Sequence, residues 1–250
     1  MDSIWKEIKN FIELQRYMIG YLTGEYKRNP WCCAPIDPET IPILSSLVRI
    51  NSLGFVTVVS QPGVTTIWPD CSAEYQRGFM TGFISKQNCE EFMSKLLKIP
   101  GIIICKTVLG SGEPPTLYGD YERLIMKRPV ETENVNGTSC VVSGTGRFIN
   151  LTKEIIPEGD RFLENLDEYE KKRIVKIGDK TIRYYTNKWL DYECDETEVL
   201  IGVNNDLCEY LRMNTYQLTV IRSEYGDADL DTIILEILEN LEKKNNIMDL

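Results

Sequence analysis

Two short segments in the N-terminal half bring hydroxyl, amide and guanidinium groups close together in sequence. Ser60-Gln61-Pro62-Gly63 directly follows the apolar run 55–59, and Gln76-Arg77 comes shortly after it. Pro62 fixes φ and Gly63 permits positive φ, so residues 61–63 fit a type II turn. Backbone N–H groups near such a turn can converge on an anion, and a guanidinium can hold a phosphate or carboxylate through two hydrogen bonds. We therefore predict a small pocket for an anionic ligand, lined by Ser60, Gln61, Gly63, Gln76 and Arg77.

A purely structural interpretation of the same residues also stands. The Gln and Arg side chains can hydrogen-bond the loop backbone and hold it in place without any ligand. The two interpretations differ in whether Arg77 faces an open, water-filled hollow or lies packed against main-chain carbonyl groups.

Other segments with chemically useful residues favour structural roles. Residues 143–147 (Ser-Gly-Thr-Gly-Arg) lack the Gly-Lys-Ser/Thr ending of a phosphate-binding P-loop and fit a hairpin turn. Gly110-Ser111-Gly112 is a still weaker candidate for a phosphate-binding loop. The acidic residues between 191 and 198 fit a solvated loop. Cys32-Cys33 has no basic neighbour to lower a thiol pKa, which favours packing.

The chain contains no histidine. This excludes Ser-His-Asp and Cys-His nucleophile pairs, histidine general bases and histidine metal sites. Any catalysis would have to use Asp, Glu, Lys, Tyr, Cys or a substrate group, and no catalytic residue can be assigned. The sequence predicts no metal and no cofactor.

Composition and charge narrow the cellular setting. The formal net charge is −10 and no Lys/Arg cluster offsets it, which disfavours nucleic-acid binding. No apolar run approaches the ~20 residues that span a bilayer, and residues 1–24 do not resemble a secretory leader. The eight cysteines are scattered without a Cys-x-x-Cys pair, which is typical of reduced thiols. We expect a soluble, cytoplasmic protein that does not bind membranes.

Hydrophobic periodicity predicts an alternation of helices and strands. Helical spacing occurs within residues 3–22, from Asp37 to Asn51, over 86–97, near 205–212 and over 229–244. Strand patterns occur at 55–59, 76–85, 102–108, 216–222 and, as a hairpin, at 173–186. Residues 55–59 are apolar on both faces, which indicates a central strand, and 110–120 read as a Gly/Pro-rich loop.

These elements predict an α+β protein with a mixed sheet, helices packed mainly on one face, and amphipathic helices at both termini. No repeat or low-complexity linker divides the chain. We expect a single domain over residues 1–250, with 1–110 and 130–250 as the alternative sub-halves.

The N-terminal 100 residues resemble an uncharacterised bacterial domain family. The resemblance depends on Gly54-Phe55-Val56-Thr57-x-x-Ser60-Gln61-Pro62-Gly63 followed by Gln76-Arg77-x-x-x-x-Gly82-Phe83. The family carries no established activity, so the resemblance implies a shared fold and the importance of these two segments.

Two functions follow as hypotheses. The first is an intracellular protein that binds a small phosphorylated or carboxylated ligand, such as a nucleotide, in the predicted pocket. The alternative is a non-catalytic interaction or structural protein, able to bind a protein partner or itself. Asn, Lys and Ile usage indicates an AT-rich genome, which under this alternative favours a virion component or a host-factor inhibitor of a large DNA virus or phage.

Overall fold

The computed structural model describes 12 segments of the chain. They are residues 6–29, 35–36, 38–67, 73–111, 115–119, 132–135, 138–141, 152–156, 174–177, 180–185, 205–225 and 229–248. The predicted features at Cys32-Cys33, 143–147 and 191–198 lie outside these residues, as does Gly112.

Five α-helices lie within the described residues. They are α1 (Phe11–Leu22), α2 (Leu44–Ser52), α3 (Lys86–Leu96), α4 (Asn205–Asn214) and α5 (Leu230–Met248), and a 3-10 helix, Pro38–Ile43, leads into α2. The first predicted helix begins later than its periodicity suggested because Asn10 caps it: its side-chain oxygen accepts a hydrogen bond from the Glu13 backbone N–H at 3.0 Å. Gly54, just beyond α2, has a φ of 92°, as predicted for a residue ending a helix.

Eleven strands occur in the same residues. They are β1 (Phe55–Gln61), β2 (Val64–Ile67), β3 (Ala73–Ser85), β4 (Ile102–Thr107), β5 (Thr116–Gly119), β6 (Thr132–Val135), β7 (Thr138–Val141), β8 (Thr152–Ile156), β9 (Ile174–Ile177), β10 (Lys180–Tyr185) and β11 (Thr215–Tyr225). The hairpin predicted over 173–186 is confirmed by the antiparallel pairing of β9 with β10. The loop predicted for 110–120 is wrong in part, because β5 occupies its second half and pairs with β4.

The strands form one large sheet in the order β1-β3-β11-β4-β5-β9-β10-β8, with β2 paired to β3 and with β6 and β7 forming a separate pair. The pairing of β5 with β9 is parallel and the other strand pairs are antiparallel. The protein therefore has the predicted α+β class with a mixed sheet.

The interpretation of β1 as a central strand is wrong. Among the strands of the described residues, β1 is hydrogen-bonded only to β3 and stands at the end of the sheet order. Phe55 and Val56 are nevertheless fully buried, because α2 and the 3-10 helix contact this edge strand. The apolar residues on both faces of β1 are therefore explained by helices that pack on this strand and not by a strand on each side of it.

The main core lies between the sheet and the helices α3 and α5. The Phe55 ring lies 5.5 Å from the Phe92 ring of α3, centroid to centroid, and Met80 and Ile84 of β3 share this cluster with Ile234 of α5. Continuous apolar contact of this kind is the main stabilising term in folding.

Candidate functional site

The two predicted site segments lie side by side in the sheet. Strand β1 pairs with β3 through Ser60–Met80 and Gln61–Phe79. Strand β2 then pairs with β3 through Val64–Gln76 in the same register. The chain therefore continues along β3 across Pro62-Gly63 and does not reverse there, so the predicted type II turn is wrong. The shared register places Gly63 opposite Arg77.

The five predicted site residues do not share one side of the sheet. Directly paired residues project from the same face and neighbours along a strand project from opposite faces. Gln61 therefore shares a face with Phe79, and with Arg77 two positions before it, whereas Ser60 projects with Met80 from the other face. The backbone of Gln76 is paired with that of Val64.

Burial separates these residues further. Arg77 is buried, with 6% of its surface exposed. Gly63 is also buried, and Ser60 and Gln61 are half-buried. A guanidinium in a protein interior offers donors in a fixed planar fork, so Arg77 is the strongest anion-binding group in the predicted site.

The cavity beside Gln61 is small. It has a volume of about 10 Å³ and is lined by Gln61, Pro62 and Phe79 together with Asp231 of α5. This is room for about one water molecule, and the Asp231 carboxylate repels anions. An organic anion that contacts Arg77 must therefore lie elsewhere along the face that carries Arg77.

That face contains a band of buried polar side chains. Across β3, β11 and β4 the paired rows read Thr81–Thr219–Cys105 and Phe83–Gln217–Thr107. The polar members of these rows are buried. We call the face formed by Thr81, Thr219, Cys105, Gln217 and Thr107 the threonine face.

Arg77 extends the threonine face along β3. It lies four residues before Thr81, with Phe79 between them on the same side. The hydroxyl oxygens of Thr81 and Thr219 are 2.9 Å apart and hydrogen-bonded. This cross-strand bond stabilises the sheet. Each of the two hydroxyl oxygens still has a lone pair with which it can accept a hydrogen bond from a ligand.

Sequence reasoning did not identify the threonine face. Its signal was present as alternation in β11, where Gln217 and Thr219 alternate with apolar residues. Polar residues at every second position normally indicate a solvent-exposed face. Only the burial of these positions distinguishes them.

The opposite face carries a half-buried lysine, Lys106. Lys106 Nζ lies 2.6 Å from a Glu90 carboxylate oxygen and 4.0 Å from the centroid of the Tyr216 ring. Burial is the largest single influence and lowers the pKa of Lys106, but the hydrogen bond to Glu90 and the electrostatic effects of Cys89, Glu90 and Tyr118 together outweigh it and leave the pKa raised. Lys106 therefore stays protonated and serves as an ion-pair and ring partner, not as a base.

Within the described residues, no group of three or more Cys, Asp or Glu side chains is arranged to hold a metal ion. In the same part of the chain, no helix combines the length and apolarity that crossing a membrane requires. At Gly110-Ser111 the Ser111 hydroxyl donates to the Val108 carbonyl at 2.9 Å, within the first part of the predicted loop.

A family model described as a domain of unknown function, DUF6919, matches residues 1–119. The predicted resemblance to an uncharacterised domain family is confirmed at this level. The match covers 119 of 250 residues and includes α1 to β5.

The chain is also similar to segments of larger enzymes. It is 29% identical over 101 residues to methylenetetrahydrofolate reductase 2 of Saccharomyces cerevisiae, covering 40% of this chain and 17% of the yeast protein. It is 26% identical over 186 residues to a probable methylenetetrahydrofolate reductase (NADH) of Oryza sativa, covering 66% of this chain and 31% of the rice protein. The corresponding Arabidopsis thaliana protein is 30% identical over 105 residues, 38% of this chain and 18% of its own length. The chain thus spans less than a third of each of these relatives.

Proposed function

We propose that this protein is a non-catalytic domain that binds a small organic anion along the threonine face. Arg77 holds the carboxylate or phosphate, Gln61 adds an amide near it, and Thr219 and Gln217 contact the rest of the ligand. The observation that carries the proposal is the position of a buried guanidinium on the same sheet face as a band of buried hydroxyl and amide groups.

The chemistry of Arg77 favours an anionic ligand. Guanidinium groups bind carboxylates and phosphates through parallel N–H···O bonds, and these bonds strengthen where water is excluded. The five donors of one guanidinium allow a ligand anion to join whatever contacts Arg77 already makes. The aromatic rings of Phe79 and Phe83 on the same face provide an apolar surface for a planar group.

The names of the relatives point to two ligand classes with this chemistry. Methylenetetrahydrofolate carries carboxylates and NADH carries a pyrophosphate, and both carry planar heteroaromatic rings. Because the chain spans less than a third of the reductases, we assign it a binding role of the kind an accessory segment can perform and not the reductase reaction.

A thermal-shift screen tests the proposal. We expect NADH, methylenetetrahydrofolate, nucleotides or simple organic acids to raise the melting temperature, because a ligand that binds only the folded state stabilises it by mass action. At a ligand concentration of about 100 times Kd the gain is about 2.7 kcal/mol. Arg77→Ala should abolish the shift, whereas Arg16→Ala, an exposed arginine on α1, should leave it unchanged.

Two further variants keep the test decisive if Arg77→Ala does not fold. Gln61→Leu changes a half-buried residue, and Thr219→Val keeps the shape of a buried residue while removing its hydroxyl. Each should weaken binding in a folded protein. An unfolded Arg77→Ala variant together with unchanged binding in the other two would favour the structural interpretation, in which Arg77 only holds the backbone.

A second function is favoured by exposed apolar side chains. Met213 is 73% exposed and lies one turn from the exposed Tyr210 on α4, and Ile41 is 62% exposed. Such residues suit a protein partner or self-association, as expected of the virion-component or host-factor-inhibitor alternative. Size-exclusion chromatography over a range of protein concentrations distinguishes it, since self-association makes the elution volume depend on concentration. A cytoplasmic location remains a prediction under both functions.

A further inference from the structure

A second cavity, larger than the one beside Gln61, lies at the other end of β1. Its volume is about 330 Å³, and it opens between the C-terminal end of α2, the N-terminal end of α3 and the middle of α5. Cavities of about 300–1,000 Å³ are the usual size of small-molecule sites. Ile84 contributes to it from the face of β3 opposite the threonine face, so the two sites are separate.

One wall of this cavity is apolar. Leu53, Ile84, Leu238 and Leu241 line it, and all of these except Leu53 are buried. Leucine and isoleucine side chains gain about 25 cal/mol for each Å² of ligand surface that they remove from water. This wall therefore suits a ring or short hydrocarbon body.

The other wall carries oxygen acceptors. The Gln15 amide donates from Nε2 to the carbonyl oxygens of Asn51 at 2.6 Å and Ser52 at 2.9 Å. These two bonds engage its donor end, so its carbonyl oxygen is the end left to accept a bond. The Asn88 side chain, also in this wall, makes no hydrogen bond with any residue in the described part of the chain.

The charge in this wall is negative. Glu242 lines the cavity, and Arg49 holds its carboxylate through a contact of 2.9 Å between Nη2 and Oε2. Arg49 also contacts the Glu239 carboxylate at 3.5 Å, so one guanidinium faces two carboxylates. The cluster retains one net negative charge and keeps the Glu242 carboxylate in place at the cavity.

We propose that this cavity binds a small organic amine with an apolar body. The protonated amine contacts the Glu242 carboxylate and donates to the Gln15 and Asn88 amide oxygens, and the apolar body packs on Leu53, Leu238 and Leu241. This ligand class differs in charge from the anion proposed for the threonine face, and the inference does not depend on that proposal.

A matched pair of probes tests the charge requirement. Tryptamine carries an indole and a protonated amine at neutral pH, and indole-3-propionate carries the same ring with a carboxylate. We expect isothermal titration calorimetry and ligand-observed NMR with the full chain to detect tryptamine binding, and indole-3-propionate to bind at least about fivefold more weakly, the ratio expected when an exposed ion pair is replaced by repulsion.

Four variants locate the site. Glu242→Gln keeps the size of the side chain and should weaken tryptamine binding by about fivefold. Glu239→Gln is the control, because Glu239 shares the Arg49 partner on the same helix but does not line the cavity. Ser52→Phe places a ring in the cavity from an exposed position and should abolish binding, while Arg77→Ala should not change it.

Three results would overturn the proposal. The first is the absence of tryptamine binding at concentrations up to about 5 mM. The second is equal binding of the two probes. The third is an equal effect of the Glu242 and Glu239 variants on tryptamine binding. If Ser52→Phe does not fold, the comparison of the two glutamate variants alone decides.

Discussion

At the residue scale, Asn51 joins α2 to β1 through a fully buried side chain. Its amide nitrogen donates to the Leu47 carbonyl at 2.8 Å and to the Thr57 hydroxyl at 2.7 Å, and its oxygen accepts from the Thr57 N–H at 3.0 Å. We predict that Asn51→Leu lowers the free energy of unfolding by about 3 kcal/mol or more, because buried backbone groups lose their partners. Urea denaturation measures it.

The control for this prediction is Asn214→Ala. Asn214 also donates to the carbonyl four residues earlier, at 2.9 Å, but it is exposed. Its loss should cost less than about 1 kcal/mol, since water replaces the bond. If the two substitutions lowered the free energy of unfolding equally, burial would not explain the contribution of Asn51 to stability.

The threonine pair allows a test of coupling. Thr81→Val or Thr219→Val alone removes one hydroxyl and leaves its partner buried without that bond, at a cost of about 1–3 kcal/mol. The double variant replaces both hydroxyls with methyl groups of the same shape, and we predict that it recovers much of the loss. A double-mutant cycle from urea denaturation measures the coupling, and strictly additive losses would show that the two hydroxyls act independently.

Cys89 makes stability depend on alkaline pH. Burial raises the pKa of its thiol from 9.0 to about 11, although Lys106 acts in the opposite direction. The folded state thus favours the neutral thiol, so its contribution is complete below pH 9 and is lost as the pH rises towards 11. We predict that the stability difference between the wild type and Cys89→Ala shrinks over this interval.

Thermal unfolding at a series of pH values checks this prediction. Cys208→Ala is the control for the loss of a thiol at a less buried position, because Cys208 is only half-buried. A wild-type advantage that stays constant up to pH 11 would contradict the assignment to Cys89.

Residue types alone identified Arg77 and Gln61 as site candidates, and the fold places both on one face. Neighbours such as Ser60 and Gln61 project from opposite faces of a strand, but the sequence could not show which of them shares a face with Arg77. That outcome depends on the irregular register between Thr57 and Val59, where β1 gains a residue relative to β3. A bulge changes which side chains share a face, and no local pattern marked this one.

At the element scale, Gly82 sets how closely β1 approaches β3. A Cβ atom at this position would lie 2.5 Å from the Val56 carbonyl oxygen, which belongs to the backbone and cannot swing away. We predict that Gly82→Ala costs about 3 kcal/mol of stability, the upper part of the range for overpacking. Chemical denaturation measures the loss.

Gly54→Ala separates backbone strain from steric contact. Gly54 has a φ of 92° with open space around it, so alanine there should cost only about 1 kcal/mol. A smaller loss at Gly82 than at Gly54 would show that β1 can shift to make room.

Periodicity predicted the individual helices and strands more reliably than it predicted which elements lie next to each other. The apolar spacing of 86–97 predicted α3 nearly to the residue, and Ser85 caps it as its side-chain oxygen accepts from the Asn88 N–H at 3.3 Å. The burial of Phe55 and Val56 in the edge strand β1 depended instead on contacts with the 3-10 helix and α2. Pairing between distant segments leaves little trace in a local window.

At the scale of the whole molecule, β11 lies between β3 and β4 although it is separated from them by more than 100 residues. Residues 1–119, which the family model covers, therefore lack the central strand of their own sheet and the α5 helix that packs on it. We propose that the chain forms a single folding unit and not two sub-halves.

A truncation tests this. We predict that residues 1–119 alone show no cooperative thermal unfolding, because β3 and β4 expose unpaired edges and apolar faces. A chain that joins 1–119 to 205–250 through a flexible linker should restore a cooperative transition in circular dichroism. Cooperative unfolding of 1–119 alone would instead support an independent N-terminal half.

The late position of β11 also affects how the protein is made. During synthesis, β3 and β4 leave the ribosome well before residue 225 does, and at about 5–20 residues per second the nascent chain waits several seconds for its missing strand. In that interval the gap between β3 and β4 is open to the wrong strand from another nascent chain. Ribosome-bound chaperones that shield sheet edges should therefore increase the yield of folded protein more than faster translation would.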